Sequence, residues 1–90
     1  MLTIKYEKAF KKDYQRVVRR GYNTELLEEI IGLLAERKPL PERCRDHSLS
    51  GEYVGCRECH ITSDWLLIYR VKNDELVLLL TRTGTHSDLF

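Results

Sequence analysis

Two apolar runs near the end of the sequence constrain the fold more than any other feature. Trp65–Val71 interleaves Trp, Ile, Tyr and Val with Leu, and Leu76–Leu80 is apolar at every position. Long apolar runs rich in β-prone residues are typical of central strands, which are covered on both faces. Residues 72–74, Lys-Asn-Asp, have the composition of a tight turn. The sequence therefore predicts two central strands joined as a hairpin, with helices over at least one face.

Two amphipathic helices are predicted to provide that cover. Across residues 7–20, and again across residues 24–37, apolar side chains recur at the spacing of a buried helix face. Gly21 separates the two segments, because glycine readily takes the left-handed conformation that closes a helix. Pro39 and Pro41 stop the second helix, since proline lacks the backbone N–H that a helix needs. Residues 38–51 are then expected to form a connector.

Two further strands complete the prediction, at Thr3–Tyr6 and Tyr53–Ile61. The predicted order is β-α-α-β-β-β, an α+β fold in which an antiparallel sheet packs against two N-terminal helices. The chain has 90 residues, of which 42% are hydrophobic and 32% charged. This size and composition are typical of a single globular domain, spanning residues 1–90.

Hydropathy and charge narrow the expected location and partners. Met1–Lys5 carries no apolar signal region, and no segment approaches the roughly 20 apolar residues that span a bilayer, so a cytoplasmic protein without a membrane partner is expected. The net charge is only +1, but residues 1–45 carry 11 Lys/Arg against 7 Asp/Glu. This basic excess suits contact with a polyanion and equally suits a solvated helix face.

The residues after the last predicted strand carry candidate chemistry. Arg82 and His86 have the same parity, so an extended backbone past Thr81 would place both side chains on one face. A guanidinium binds phosphate and an imidazole donates a proton near neutral pH. Together these two groups suit the cleavage of a phosphodiester. The alternative is a frayed C-terminal tail in which His86 has no role.

Further acid and base groups are predicted near the ends of the neighbouring strands. Glu58 and His60 are two positions apart in a predicted strand and so share a face. Asp64 begins the next strand, and His47 lies in the connector. Imidazoles and carboxylates supply the general acid and general base of ribonuclease chemistry, and an arginine stabilises charge on phosphorus. Each residue also has an ordinary structural role open to it, including an ion pair of Arg82 with Glu58 or Asp64.

A zinc site is the competing interpretation of the cysteines. Cys44-x2-His47 followed by Cys56-x2-Cys59 has the paired spacing of a structural zinc site. A strand, however, would direct Cys56 and Cys59 to opposite faces, whereas zinc ligands converge. Reduced thiols, with no bound metal and no cofactor, are therefore expected.

Four motifs in the second half of the sequence resemble those of a known family. They are D-H-x-L from Asp46, R-x-x-H from Arg57, D-W-x-L-I-Y from Asp64 and R-T-G-T-H-x-x-L-F from Arg82. In this order they resemble the YafQ branch of the RelE-type toxins of bacterial toxin–antitoxin modules, and the resemblance covers nearly the whole chain. It implies a small antiparallel sheet with two N-terminal helices, cleavage of mRNA in the ribosomal decoding site, and neutralisation by a cognate antitoxin.

The resemblance also implies a set of catalytic histidines. His86 matches the family's principal catalytic histidine, and His47 and His60 match its other two. His86 is then expected to be the general acid, while His47 or His60, helped by Glu58 or Asp64, orients or removes the attacking proton. The basic residues of the first helix would contact ribosomal RNA; these are Lys11, Lys12, Arg16 and Arg19.

The other functional positions of the family have the expected residues in this sequence, except at Glu58. Asp64 matches a catalytic aspartate and Arg82 matches the phosphate-facing arginine. Phe90 matches an aromatic residue near the C-terminus, which is expected to stack on an unpaired base or to serve as a core anchor. Glu58 stands where other members have Asp, so its carboxylate is carried on a longer arm.

Two other functions stay open at this point. A ParE-like toxin, of the same general fold, inhibits DNA gyrase by binding and would not require a cluster of histidines and acids. A zinc-stabilised nucleic-acid-binding module would require cysteines that converge on a metal.

Overall fold

The computed structural model describes residues 1–90 and contains five strands in one sheet. The strands are β1 (Thr3–Tyr6), β2 (His47–Ser48), β3 (Arg57–Thr62), β4 (Trp65–Lys72) and β5 (Val77–Gly84). The helices are α1 (Lys8–Arg19), α2 (Thr24–Ala35) and α3 (His86–Leu89). The strand order is β1-β5-β4-β3-β2, so both predicted apolar strands lie inside the sheet. None of the helices is both long and apolar enough to cross a bilayer.

The α+β fold class is confirmed, and the sheet differs from the prediction at one edge. β3, β4 and β5 form the predicted antiparallel meander. β1, however, pairs with β5 in parallel, from Thr3 opposite Val77 to Tyr6 opposite Leu80. The prediction of a wholly antiparallel sheet is therefore wrong for this pair. Parallel strands need a long crossover between them, and the helices that follow β1 begin that crossover.

The connector between α2 and β3 is more ordered than the sequence predicts. It contains a 3-10 turn at Glu42–Cys44 and the short edge strand β2, which begins at His47 and pairs with β3. β3 begins at Arg57 rather than at Tyr53, because the residues before it form a second 3-10 turn, Gly51–Tyr53. These elements fold the connector back along the sheet.

The end of α2 is determined by one residue with an unusual backbone conformation. α2 stops at Ala35, slightly before the predicted end near Arg37. Arg37 has a positive φ of 58°, and the Lys38 N–H donates to the Leu33 carbonyl at 2.9 Å. This is the hydrogen bond of a Schellman closure, in which glycine is the usual left-handed residue.

The main hydrophobic core lies between the sheet and the two long helices. Buried side chains that meet there include Phe10, Val17, Leu27, Leu67 and Leu80. Leu66, Ile68 and Leu89 form a separate, smaller cluster with residues of the connector. Because successive strand residues point to opposite faces, Leu66 and Ile68 mark the second face of β4. That face is covered by the connector and α3 rather than by the long helices, and it carries the candidate site.

Candidate active site

A β-bulge at Thr81 determines which face of the sheet Arg82 occupies. Leu80 pairs with Tyr69 and Arg82 pairs with Ile68, so Thr81 is the extra residue on β5. Cross-strand partners share a face, so Leu80 faces the long helices whereas Arg82 lies on the face of Ile68. The bulge therefore interrupts the simple alternation and turns the guanidinium of Arg82 away from the main core.

Strand register gathers the other predicted side chains on this second face. Glu58 of β3 pairs with Ile68 of β4, and His60 pairs with Leu66. His47 of β2 is the partner of Glu58 on its other side. The residues that share the face are His47, Glu58, His60 and Arg82.

Glu58 is a buried carboxylate between two imidazoles. Its residue is only 3% exposed. Its Oε1 lies 3.6 Å from His47 Nε2 and 3.9 Å from His60 Nε2. Burying a carboxylate is costly unless a cationic or hydrogen-bonding group faces it, and the two rings are those groups. The arrangement places the Glu58 carboxylate within ion-pair distance of both imidazoles.

The connector sets the orientation of the His47 ring. The Arg45 carbonyl lies 2.7 Å from His47 Nδ1. Because a carbonyl oxygen only accepts, Nδ1 donates in this contact and carries a hydrogen. His47 Nε2 is then the ring nitrogen that faces Glu58.

The chain turns after Gly84 instead of continuing as a strand. Thr85 caps α3: its hydroxyl accepts from the Asp88 N–H at 3.2 Å, and Asp88 Oδ2 accepts from the Thr85 N–H at 2.9 Å. Gly84 has φ of +153°, and a Cβ at this position would lie 2.9 Å from Asp88 Oδ2. The predicted extended path through to His86 is therefore wrong, and His86 instead begins a short helix.

Asp88 ties this short helix to the end of α1. Arg20 donates to its two carboxylate oxygens at 2.6 and 3.1 Å. These bonds, followed by the bond from the Thr85 backbone, hold the pKa of Asp88 well below its ordinary value. The same contact raises the pKa of Arg20. The residue at the end of α1 therefore helps to hold the short helix that begins at His86.

His86 lies close to a second imidazole, an aromatic ring and a carboxylate. Its ring centre is 6.1 Å from that of His60 and 5.9 Å from that of Phe90. Its Nδ1 lies 3.5 Å from Asp64 Oδ1, and its backbone N–H donates to the same oxygen at 3.4 Å. The side chain is 57% exposed. His86 is therefore oriented by Asp64 and accessible to a ligand.

Arg82 forms an ion pair with Asp13, a partner that differs from both predicted ones. Its Nε donates to Asp13 Oδ2 at 2.6 Å and its Nη2 to Asp13 Oδ1 at 3.0 Å. Nη1 donates to the Tyr53 hydroxyl at 3.3 Å. The bonds to Asp13 raise the pKa of Arg82, although burial opposes the rise. The Arg82 side chain is 24% exposed, so part of it still faces solvent while Asp13 and Tyr53 hold the guanidinium.

Asp13 is the main residue of the site that the sequence analysis missed. It follows Phe10 by three positions and precedes Val17 by four, so it falls on the buried stripe of α1, and it is 2% exposed. A carboxylate on such a stripe requires a cation or donors, which is the signal that identifies it. β1 ends at Tyr6, leaving the Thr83 N–H of β5 without a strand partner, and Asp13 accepts that hydrogen bond at 3.1 Å.

We expect Asp13→Asn to lower the free energy of unfolding by about 2–3 kcal/mol. Removing one charge of a buried ion pair costs about 3–5 kcal/mol, and partial hydration of the exposed part of Arg82 reduces that cost. Asparagine also retains one acceptor oxygen. The measurement is urea unfolding of both proteins at neutral pH.

Asp88→Asn is the matched control for this prediction. Asp88 also binds an arginine through both oxygens, but its partner Arg20 has a side chain that is 38% exposed, against 24% for Arg82. Exposed ion pairs contribute little because water and salt screen them, so the control should lose less stability than Asp13→Asn. Equal losses in the two variants would show that burial of the Asp13 pair is unimportant.

Phe90 borders the site at the end of the chain. It is one of the exposed large apolar residues of the protein. Its ring centre lies 5.6 Å from that of Tyr53, nearly perpendicular to it, and it contacts His86 on another side. The alternative of a simple core anchor is therefore wrong, since the ring is not buried.

The basic residues of α1 divide into free and paired groups. Lys11, Lys12 and Arg19 are exposed and form no ion pair. Arg16 lies 3.6 Å from Asp88 and 3.8 Å from Asp13, so its charge is partly committed within the protein.

The cysteines are placed as a strand requires rather than as a zinc site requires. Cys44 and Cys59 are buried in the main core, whereas Cys56 packs with the cluster on the opposite face. The predicted divergence of Cys56 and Cys59 is confirmed. Burial raises the pKa of Cys59 strongly and that of Cys44 as well. No group of three or more His, Cys, Asp or Glu is arranged to hold a metal ion.

Comparison with known proteins agrees with this fold. A family model described as "Bacterial toxin of type II toxin-antitoxin system, YafQ" matches residues 2–90. The mRNA interferase toxin YafQ of Escherichia coli K12 is 38% identical over 88 residues, spanning 97% of this chain and 94% of that protein.

Two groups of solved structures are similar over nearly the whole chain. A metal-bound toxin from Helicobacter pylori is 43% identical, with a TM-score of 0.94 and complete coverage of both chains. The toxin chain in the E. coli DinJ–YafQ toxin–antitoxin complex is 34% identical, with a TM-score of 0.88 over 99% of this chain and 97% of that one. The match of residues 2–90 and the identity to these relatives confirm the resemblance, and this chain belongs to the YafQ family of toxins from bacterial type II toxin–antitoxin systems.

Proposed function

We propose that this protein is a toxin that cleaves mRNA endonucleolytically on the ribosome. The observation that carries the proposal is the buried Glu58 carboxylate between the His47 and His60 imidazoles, with the His86 ring beside His60. Paired acid and base groups of this kind are what RNA transesterification requires. The E. coli relative, an mRNA interferase toxin, supports the same reaction here.

The proposed reaction begins at the ribose 2′-hydroxyl next to the scissile phosphate. His47 or His60, assisted by Glu58, takes the hydroxyl proton while the 2′-oxygen forms a bond to phosphorus. The bond from phosphorus to the 5′-oxygen breaks, and His86 donates a proton to that oxygen. One proton is taken up and one is released, and the products are a 2′,3′-cyclic phosphate and a 5′-hydroxyl.

The remaining side chains stabilise and position the reacting groups. Arg82, held by Asp13 and Tyr53, presents a fixed cation to the phosphate, so little reorganisation is needed as charge develops. Asp64 orients His86 through contacts with its ring and its backbone N–H. These side chains supply every acid, base and cation in the proposed reaction, so it is metal-independent and needs no cofactor.

Two surfaces would hold the RNA around this centre. Phe90 is exposed next to His86 and is suited to stack on an unpaired base. The basic face of α1 would contact ribosomal RNA through phosphate groups. The residues proposed for that contact are Lys11, Lys12, Arg16 and Arg19.

A cognate antitoxin is the proposed protein partner. The E. coli relative has been solved in complex with the antitoxin DinJ, and its toxin chain has the fold described above. An antitoxin that covers the second face of the sheet would block access to Glu58 and His86.

The test of the proposed function is to map mRNA ends in translation reactions. Purified protein is added to one reaction with ribosomes and to a second with the same mRNA but no ribosomes. We expect internal cuts only in the first, with new 5′ ends that require phosphorylation before ligation because they carry hydroxyl groups. The control is the same pair of reactions without the protein.

Two outcomes would contradict the proposal. Equal cutting without ribosomes would make the ribosome dependence wrong. Intact mRNA together with inhibition of DNA gyrase in a supercoiling assay would favour the ParE-like alternative instead.

A further inference from the structure

A cavity beside His60 has the character of an anion site. It lies between the connector and the turn that joins β3 to β4 and has a volume of about 410 Å³. One apolar residue, Ile61, lines it, and the other lining residues are polar or cationic: Arg43, Arg45, His60, Thr62 and Ser63. No carboxylate contributes to the lining, so nothing within the cavity neutralises its positive charge.

The two arginines of this cavity are unpaired. Arg16, Arg20, Arg57 and Arg82 all lie within ion-pair distance of an aspartate. Arg43 and Arg45 form no such pair, and among the other arginines the same is true of Arg19, Arg37 and Arg70. Two free guanidinium groups beside an imidazole and two hydroxyls are a set of donors suited to the oxygens of a phosphate.

The backbone at Arg45 links this cavity to the acid–base centre. Arg45 has φ 47° and ψ 45°, the left-handed conformation that glycine adopts most readily. Its carbonyl accepts the hydrogen bond from His47 Nδ1 that orients the ring. The conformation therefore serves the His47 contact, and glycine would provide the same carbonyl with less strain. The arginine side chain adds a cation to the cavity that the backbone geometry alone does not require.

The position of His60 connects the cavity with the scissile bond. Its ring lines the cavity, lies 3.9 Å from Glu58 and has its centre 6.1 Å from that of His86. Only the His60 side chain therefore separates a group bound in the cavity from Glu58 and His86, which belong to the proposed reaction centre. Phosphates recur at every nucleotide of an RNA strand, so a neighbouring phosphate is the anion available at this position.

We propose that Arg43 and Arg45 form a second phosphate site, which binds the phosphodiester adjacent to the scissile one in the RNA substrate. This inference rests on the proposed function, because it places the substrate strand relative to that centre. The site selects for a polynucleotide and positions the 2′-hydroxyl near Glu58. Arg43 and Arg45 act by holding the strand and take no part in proton transfer.

The test combines Arg43→Gln with Arg45→Gly and measures RNA binding without cleavage. The probe is a short single-stranded RNA that carries 2′-O-methyl groups throughout, so it has no attacking hydroxyl. Its affinity for the free toxin is measured at several salt concentrations. We expect the double variant to bind about tenfold more weakly. The salt slope, which is the slope of the logarithm of the affinity against the logarithm of the salt concentration, should become smaller in magnitude by about 0.7, the value for one phosphate contact on a single strand.

Arg37→Gly is the matched control for Arg45→Gly. Arg37 is also an exposed arginine with a positive φ, and it lies outside the cavity. The substitution removes the same charge and relieves the same backbone conformation. It should leave the affinity within twofold and the salt slope unchanged, and thermal unfolding of each variant verifies that the fold is retained.

Cleavage in the translation reaction provides a second readout. The Arg43→Gln/Arg45→Gly protein should show a KM about tenfold higher with kcat within threefold of the wild type, whereas Arg37→Gly should change neither. Equal RNA affinity and salt slope in wild type and double variant would overturn the site, as would a wild type that fails to bind the probe. If the arginines contribute to RNA binding but no mRNA is cut, the proposed function fails and the phosphate site stands. If cutting is intact and the double variant matches the wild type in both assays, the site fails and the function stands.

Discussion

Replacing His86 with alanine is expected to lower the rate of mRNA cleavage by about 10²- to 10⁴-fold, the usual contribution of a general acid. Without the imidazole, the 5′-oxygen would leave as an alkoxide unless water protonates it. Because the His86 side chain is 57% exposed and packs little, the free energy of unfolding should change by less than about 0.5 kcal/mol. The measurement is the single-turnover rate of cutting in a translation reaction, alongside urea unfolding.

Ser87→Ala is the matched control for His86→Ala. Ser87 is the next residue of α3 and is also exposed, so its substitution tests any general effect of changing the short helix. Its cleavage rate should stay within about twofold of the wild type. A His86→Ala protein that cuts within threefold of the wild type would place the acid elsewhere.

The local parts of the fold could be predicted because they depend on neighbours in the sequence. Periodicity over a few residues is enough to predict the apolar strands β4 and β5. It is also enough to predict that Glu58 and His60 lie on the same face. The structure agrees with the sequence in both cases, since a strand has a period of two wherever its pairing is regular.

The features that escaped prediction depend on pairing over long distances. Arg82 and Asp13 are 69 positions apart, so a short window of sequence cannot reveal that they meet. The bulge at Thr81 reverses the face of Arg82, yet it arises from register with β4 and leaves no mark in its own residues. The sequence predicts that Arg82 and His86 share a face because a continuous strand alternates with a period of two. In the structure, the bulge at Thr81 determines the face of Arg82, and the helical turn after Gly84 determines the position of His86.

The connector illustrates a second limit of sequence periodicity. Its proline and charged residues indicate a loop, and that loop proves to contain β2 and the left-handed Arg45. Glycine is the residue that signals this conformation, so an arginine there gives no warning. The orientation of His47 through the Arg45 carbonyl could therefore not be inferred before the backbone was known.

Glu58→Gln is expected to reduce cleavage by about 10²- to 10⁴-fold with the fold retained. Glutamine has nearly the same shape and fills the same buried position, so packing between His47 and His60 is preserved. The lost property is the negative charge, which faces both imidazoles and assists removal of the 2′-hydroxyl proton. The rate is measured under single-turnover conditions, and circular dichroism reports the fold.

Glu58→Asp tests whether cleavage depends on the charge of the carboxylate or on the length of the side chain that carries it. Aspartate keeps the carboxylate but shortens the side chain by one methylene, and it is the residue that the sequence resemblance places at this position in other family members. Because Oε1 now lies 3.6 and 3.9 Å from the two imidazoles, the shorter arm retains electrostatic contact but loses some alignment. We therefore expect Glu58→Asp to cut within about tenfold of the wild type and far faster than Glu58→Gln, since a negative charge still acts on the reaction centre over a slightly longer distance. Equal rates in the two variants would show that alignment matters more than charge. A Glu58→Gln protein as active as the wild type would remove the carboxylate from the reaction and leave proton abstraction to the histidines alone.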